Sequence, residues 1–488
     1  MTDLAFGDRH SRAVLGLGLN AEPKIVRIYA GKLAGSISRQ HLLVCLINLI
    51  ARLHGSVKAI QLQAEDHLVV ALPHIRGKIL AFEAMASLAV WVNGGRIPVC
   101  PLGDVADIVI DISAGHQHDA DLYAWGSGWK SWVGSTPASF VRVEDRRDCL
   151  GPYFAAALVA GELFKRSKGL IKGRFAENEA HSLWSGASGD WDLLPDGPRV
   201  DGGSIPDCYL IGAGAVGQGV VNVLGASNLA RAYAVTVDHD HHDKEGTNLN
   251  RCFLAGVGDI DKPKVDVVRR YREISGLAGF EFHGTLNDYL VAEKADLAQR
   301  LLEKEQRDVY ELVISAVDIN QSRQDIQGLR PRIVVGGSTD GLRAQSVWYG
   351  LDEKAECLGC WNQPDNSKAR AMAVEAELRA MTEDQQRQRL VGNVNDLDAA
   401  LAFLNDPEPR CGRLGEADIR AFASSVSPEF SVSFVSMASA VMTAARVLTL
   451  GLSGEQTKLR RSKSIFHFRS LKCDDATTAL RQACPHCG

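Results

Sequence analysis

The chain has 488 residues, enough for about two to four domains and a large core. Its 54 Lys and Arg residues stand against 59 Asp and Glu, so the charge argues for neither a nucleic-acid face nor a polybasic membrane anchor. No apolar run approaches the roughly 20 residues needed to span a bilayer, and the opening MTDLAFGDRHSR lacks a signal-peptide core, so the expectation is a cytoplasmic protein that binds neither membrane nor nucleic acid.

Taken in chain order, KIVRIYAG reads as a strand and SISRQHLLVCLINLIARLHG as a helix. VKAIQLQA follows as a strand, then a helix around KILAFEAMASLAVWVNGG, then the strands RIPVCPL and ADIVIDIS. The helix GPYFAAALVAGELFK closes this half. The stretch GDWDLLPDGPRVDGGSIPD, rich in Gly, Pro and Asp, reads as a linker over residues 186–206. The second half repeats the alternation with DCYLIGAG, AYAVTVD, FEFHGTL, YELVISAVD and RIVVGGS as strands between helices, and FSVSFVSMASAVMTAARVL as its closing helix. Such alternation predicts parallel βαβ units and an α/β fold of two tandem, Rossmann-like, doubly wound domains. ADIVIDISAGH matches ELVISAVDINQ in character, and the two closing helices share a small-residue composition, which points to a duplication.

The copies differ where chemistry belongs. The second carries CYLIGAGAVGQGVVNVLG, an apolar strand running into Gly212, Gly214 and Gly217 and then a helix. Glycines let backbone approach a phosphate, and the helix N-terminus supplies amide donors and partial positive charge. Asp238 ends the next strand some twenty residues on, where a carboxylate suits ribose hydroxyls. Asp240, Asn248, Asn250, Arg251 and Lys264 follow in VDHDHHDKEGTNLNRCFL and DKPKV. A glycine loop alone also fits NAD or a flavin, and Asp238 alone fits NAD. The first half has only Gly31 and Gly35 at its equivalent turn. His239, His241 and His242 read as surface-loop histidines, and Asp240 as a secondary nucleotide or Mg²⁺ contact.

The 11 cysteines are spread through the chain, which suits reduced thiols with some metal binding better than a disulfide scaffold. Cys357, Cys360, Cys484 and Cys487 form two CxxC pairs with zinc-knuckle spacing, and four thiolates make a closed tetrahedral Zn²⁺ site. Cys411 stands alone in NDPEPRCGRLGE between Arg410 and Arg413, whose charge favours the nucleophilic thiolate. Before it lies an insertion of helical character, SKARAMAVEAELRAMTEDQQRQRL and VNDLDAALAFL. Cys45, Cys100, Cys208 and Cys252 read as buried small hydrophobes.

From Asp207 to about Leu450 the motifs GAGAVG, VDHD, TNLNR, DKPKV, SAVDINQSR, CLGC, Cys411 and CPHC, in that order, resemble the adenylating superfamily of ubiquitin-activating enzymes and the bacterial ThiF and MoeB proteins. The chain looks most like the activating component of antiphage ubiquitin-like conjugation operons. The resemblance implies an inactive adenylation-like domain at 1–185 and the nucleotide-binding part of an active one at 207–356. A zinc knuckle and a small helical catalytic-cysteine region follow at 357–415, then the closing helix and zinc-binding tail at 416–488. It further implies ATP held by the glycine loop, Asn248, Arg251 and Lys264, with Mg²⁺ on Asp318. Arg323 occupies the family's helix-borne arginine position. DRHSRAVLGLG resembles the family segment whose arginine reaches a neighbouring active site, which nominates Arg12. Cys411 matches the family's thioester-forming cysteine.

The implied function is ATP-dependent adenylation of the C-terminal glycine of a small β-grasp ubiquitin-like protein, thioester formation on Cys411, and transfer to a conjugating enzyme, by a monomer or homodimer. The alternatives are activation of a sulfur-carrier protein in the ThiF and MoeB manner, an NAD-dependent oxidoreductase and a non-enzymatic scaffold.

Overall fold

The computed structural model describes residues 22–142, 146–169, 175–244, 246–302, 311–350, 356–362, 374–394, 396–406, 419, 422, 432–453, 463–476, 484 and 486–487. The first half runs Lys24–Lys32 (β1), Ile37–Ile50 (α1), Val57–Glu65 (β2), His67–Leu68 (β3), Ile79–Leu80 (β4), Ala81–Asn93 (α2) and Val99–Cys100 (β5). It continues through Ile108–Asp111 (β6), Leu122–Ser127 (β7), Lys130–Gly134 (β8), Leu150–Lys168 (α3), Asn178–Ser182 (β9) and Ser188–Gly189 (β10). The second half runs Cys208–Ile211 (β11), Ala215–Ala226 (α4), Tyr233–Asp238 (β12), Lys264–Ser275 (α5), Ala278–His283 (β13), Leu286–Leu302 (α6) and Leu312–Ser315 (β14). Then come Asn320–Gly328 (α7), Ile333–Asp340 (β15), Arg343–Gly350 (β16) and Leu358–Trp361 (α8). Glu383–Leu390 (α9), Leu397–Leu404 (α10), Ser433–Ser453 (α11), Lys463–His467 (β17) and Lys472–Ala476 (β18) follow among the described residues.

Each half builds one eight-stranded sheet, and the two sheets have the same topology. The first reads β5-β2-β1-β6-β7-β8-β9-β10 and the second β13-β12-β11-β14-β15-β16-β17-β18. In both, the first five strands are parallel and the last three join antiparallel. β6 and β14 occupy the same place in their sheets, as the likeness of ADIVIDISAGH to ELVISAVDINQ anticipates. The tandem α/β reading therefore holds, while β7–β10 and β16–β18 extend each sheet beyond the strands expected from the sequence.

Burial explains these elements. Val26, Ile28 and Ala30 alternate into the core from β1, the period-two pattern of a strand. Along α3 nearly every residue is buried, and α3 packs on α11. Small residues permit that approach: a Cβ on Gly161 would sit 2.5 Å from Phe468 and 3.4 Å from Phe434. One apolar core runs through both halves, from Val26 and Leu46 to Val220, Val335 and Val441.

Two sequence expectations change here. The 20-residue stretch Ser433–Leu452 of α11 is apolar enough to cross a bilayer, with a mean hydropathy of 1.5, against the reading that no run approaches that length. Most of the stretch is buried within the protein, because it is a core helix. Residues 186–206 do more than join the halves. They contribute β10, and Trp191 and Leu194 bury against Tyr123, Trp125 and Trp132 of the first sheet, with Phe140 stacked on Trp191 at 4.4 Å.

The described residues within 319–321 and 363–429 form a unit separate from the one that holds the sheets. Here the helical insertion expected from the sequence has its own small core, including Leu378, Leu390, Leu401 and Phe403. Thr382 and Gln385 close a capping box at the start of α9. Arg379 pairs with Glu375 at 2.8 Å and lies over the Phe403 ring.

Candidate functional site

The second sheet reverses its strand order between β11 and β14, and ligands of doubly wound sheets bind outside the carboxyl ends of the strands at such a point. Ile211 is in register with both Val237 and Ser315, so the glycine loop after β11, Asp238 at the end of β12 and Asp318 beyond β14 emerge along one edge. Gly212 has φ +100, and a Cβ there would come 2.7 Å from the Ala316 carbonyl oxygen. A Cβ on Gly217 would overlap the Gly212 carbonyl oxygen, so this glycine sets the packing of α4 against the loop. Gly214 caps α4, and the space beside it is open. That open cradle at a helix N-terminus fits a phosphate.

Asp238 is buried, and both its oxygens serve the backbone. One accepts from Ala213 N–H at 2.5 Å and the other from Asp240 N–H at 2.7 Å. Asp66, at the corresponding turn of the first half, likewise accepts from Leu33 and Ala34 N–H at 3.2 and 3.1 Å. The degenerate copy keeps this brace between acid and loop without the three-glycine cradle.

Lys264 opens α5 and donates to Asp240 Oδ2 at 2.7 Å. Burial disfavours the ammonium, but the Asp240 hydrogen bond and the surrounding negative charge outweigh it and raise the lysine above its ordinary range. Burial also works against the Asp240 carboxylate, and Lys264, with His239 and His241, holds it below its ordinary range. Asp238, His239 and Asp240 each place a ligand atom within 4.8 Å of the others. The backbone and Lys264 already engage both carboxylates, so this trio makes a poor cation site.

Thr247–Asn250 forms a 3₁₀ turn after Gly246, whose φ is +73. Asp243 organises it, accepting from Thr247 N–H, Thr247 Oγ1 and Asn248 N–H at 2.5, 2.7 and 3.0 Å. Asn248 Oδ1 in turn accepts from Arg251 Nη2 at 2.8 Å, which pre-orients the guanidinium. Asn250 is fully buried, and neither atom of its side-chain amide has a partner among the described residues.

Asp318 is exposed beyond β14 and has no hydrogen-bond or ion-pair partner among the described residues. Such a carboxylate, set beside a phosphate cradle, fits Mg²⁺, which is held by one or two carboxylates together with phosphate oxygens. Arg323 on α7 reaches back to the Val317 carbonyl at 2.7 Å and braces the approach to Asp318.

α7 also meets the cysteine cluster. Gln327 Oε1 accepts from Leu358 N–H at 3.0 Å, and Gln324 Nε2 donates to the carbonyls of Gly359 and Asn362 at 3.1 and 2.5 Å. Cys357 Sγ lies 3.8 Å from Cys360 and 3.5 Å from Cys484, and Cys360 lies 3.4 Å from Cys487. Tetrahedral Zn²⁺ with bonds of about 2.3 Å needs sulfur separations of about 3.8 Å. The four thiols therefore fit a structural zinc ion, as their spacing anticipates.

Residues 206–486, more than half of the sequence, match the ThiF family. The chain belongs to the ThiF family. The ThiF match spans the glycine loop, the Thr247–Asn250 turn, Lys264, Asp318 and the first CxxC pair. The Bacterial E1-like protein BilD of Collimonas sp. (strain OK412) is 26% identical over 260 residues, 52% of this chain and 54% of that protein. The chain thus spans about half the length of that curated relative. Among solved structures, E. coli MccB with SeMet MccA is 15% identical with a TM-score of 0.36, covering 58% of this chain and 66% of that one. E. coli MccB with succinimide is 12% identical with a TM-score of 0.37, covering 77% and 99%.

Two residues nominated for this ThiF-family chain, Arg12 and Cys411, lie outside the described residues, as do Arg410 and Arg413. His239 and His241 are exposed as expected, but His242 is not a surface histidine. It is 1% exposed, burial lowers its pKa to about 4, and its Nε2 lies 3.4 Å from Gln218 Nε2. Its neighbour Gln218 is fully buried and bridges the site, donating to Ala213 O at 3.0 Å and accepting from Leu254 N–H at 3.2 Å. Sequence reasoning passed over both Gln218 and Asp243. Asp243 did carry a signal, because Asp four residues before Thr-Asn suits the capping of a turn.

Proposed function

We propose that this ThiF-family protein adenylates the C-terminal carboxylate of a small ubiquitin-like protein of β-grasp fold, using ATP, and then carries it as a thioester to a conjugating enzyme. The observation that carries this reading is the combination at one sheet edge of an open anion cradle, two pre-oriented cations and a free carboxylate. Amides at Gly214 and the start of α4 would hold nucleotide phosphate, and Arg251 and Lys264 would face the α-phosphate and the departing pyrophosphate. Positioned cations act most strongly where charge develops during in-line displacement. Asp318 would hold Mg²⁺, which when bound neutralises phosphate charge. Arg12 is a further proposed contact.

In the first step a carboxylate oxygen of the substrate attacks the α-phosphorus of ATP. The bond to the bridging oxygen breaks, leaving an acyl-adenylate and pyrophosphate. In the second step the Cys411 thiolate attacks the acyl carbon and AMP departs with the electron pair. Nucleophile and acyl carbon must come within about 3–3.5 Å for this transfer.

A non-reducing gel after incubation with ATP and a β-grasp partner tests the second step. Cys411→Ala should keep ATP–pyrophosphate exchange and lose the thiol-sensitive adduct. An adduct that survives the substitution refutes Cys411 as carrier, and a thiocarboxylate product would mark sulfur-carrier activation instead.

A further inference from the structure

Arg52 lies in the turn after α1, in the half that lacks the glycine cradle, and its side chain is fully buried. Its hydrogen bonds go to neutral oxygens, and most of these belong to the other half. Nε donates to Asn48 Oδ1 at 2.8 Å, and Nη2 donates to the carbonyls of Phe253 and Ala255, both at 2.9 Å. Nη1 donates to the Leu249 carbonyl, inside the Thr247–Asn250 turn. Asn48 adds a bond of its own to the Phe253 carbonyl at 3.2 Å. The turn bearing Arg52 is itself fixed: Asn93 Nδ2 donates to Ala51 O at 2.9 Å, and Ser433 Oγ to Leu49 O at 3.3 Å.

Isolating a guanidinium from water without a carboxylate is costly, and burial lowers its pKa to about 9, which leaves it charged at neutral pH. The arrangement has a directional effect. In a trans peptide the C=O and the following N–H point opposite ways. With Phe253 C=O turned to Arg52, Leu254 N–H faces Gln218, which also holds the Ala213 carbonyl of the glycine loop. With Ala255 C=O turned to Arg52, Gly256 N–H faces Asp259, whose carboxylate Arg270 grips through both oxygens. A chain of hydrogen bonds thus runs from α1 through the 249–255 backbone to the phosphate cradle. Only a planar fork of five N–H groups reaches several carbonyls at once; a lysine offers a single point.

We infer that Arg52 is a positioning residue through which the degenerate half holds the Leu249–Ala255 backbone, so that Asn248 and Arg251 face the nucleotide. This inference rests on adenylation at that edge. It gives the first half a role in catalysis that requires no contact with ATP.

The test compares Arg52→Met and Arg52→Lys in the full chain, reading ATP–pyrophosphate exchange, thermal melting and hydrogen–deuterium exchange. Arg52→Met should lower the turnover of exchange on the order of 100-fold even at saturating ATP, since small misplacements have effects of that size. Amides of 247–256 should lose protection while β1 and β6 keep theirs. Arg52→Lys should restore turnover only in part. A folded Arg52→Met with wild-type turnover and protection overturns the inference. If Arg52→Met does not fold, wild-type turnover and protection in Arg52→Lys overturn it equally. Absence of exchange in the wild-type protein counts against adenylation itself, whereas the hydrogen–deuterium comparison reads the clamp without nucleotide.

Discussion

Lys264 shows how charge is held ready at the candidate site. Asp240 orients its ammonium at 2.7 Å, and the Asp240 side chain is 49% exposed. Lys264 itself is largely buried, but water reaches the half-exposed Asp240 and screens the pair, which then contributes little to stability, about 0–1 kcal/mol. Lys264→Ala should therefore melt within about 2 °C of the wild type while losing on the order of 100-fold in ATP–pyrophosphate exchange. Near-normal exchange in the variant would remove Lys264 from the chemistry. Asp243 makes the opposite case, since it touches only its own turn. Asp243→Ala removes three hydrogen bonds and should cost about 1–3 kcal/mol, visible in urea unfolding, in addition to weakening ATP binding. Unchanged unfolding would mean that the turn stands without its cap. Gly212, Asp238 and Lys264 were legible in the sequence because they sit in contiguous motifs. Arg52 was not, because its partners lie about two hundred positions away, at separations of 197, 201 and 203 residues. Neither periodicity nor local spacing encodes such a contact.

At the scale of elements, β6 and β14, with the helices α3 and α11, could be paired from composition before any sheet order was known. Strand alternation is local, and it survives duplication even where the glycines do not. Residues 186–206 were harder, because their Gly, Pro and Asp content masks the two anchoring side chains Trp191 and Leu194. The cysteine knuckle was legible from spacing, but its tie to α7 was not, since Gln324 and Gln327 resemble ordinary helix-surface residues. That tie has a consequence. Cys484→Ser should reduce bound zinc from about one equivalent per chain to a small fraction and lower the melting temperature by at least about 5 °C, as expected for a metal whose binding is coupled to folding. Elemental analysis of the purified variant, with a thermal melt beside it, makes the check. Full zinc content in the variant would show that Cys484 is not a ligand.

Over the whole molecule, one apolar core joins the two sheets, and several histidines are sealed within or beside it. Burial lowers the pKa of His41 and His181, both in fully desolvated positions, from 6.5 to about 4. The unfolded chain therefore binds protons on these rings at a higher pH than the folded protein does. Stability from keeping them neutral is complete above pH 6.5 and is lost as the pH falls toward 4. Each fully buried ring would contribute a few kcal/mol to that loss, because every tenfold change in proton affinity is worth about 1.4 kcal/mol. Melting temperature should be level from pH 7 to 8 and should fall steadily below 6.5. A level profile down to pH 4.5 would mean that these rings accept protons in place.

Activation of a carboxylate with ATP, at the edge formed by Gly214, Arg251, Lys264 and Asp318, is the claim on which the rest depends. Exchange of labelled pyrophosphate into ATP, with a β-grasp partner bearing a free C-terminal glycine, reads that step directly. Exchange should require both the partner's carboxylate and Mg²⁺, and it should be lost in Asp318→Ala. Exchange unaffected by Asp318→Ala, or none with any β-grasp partner despite bound ATP, would contradict activation at this edge.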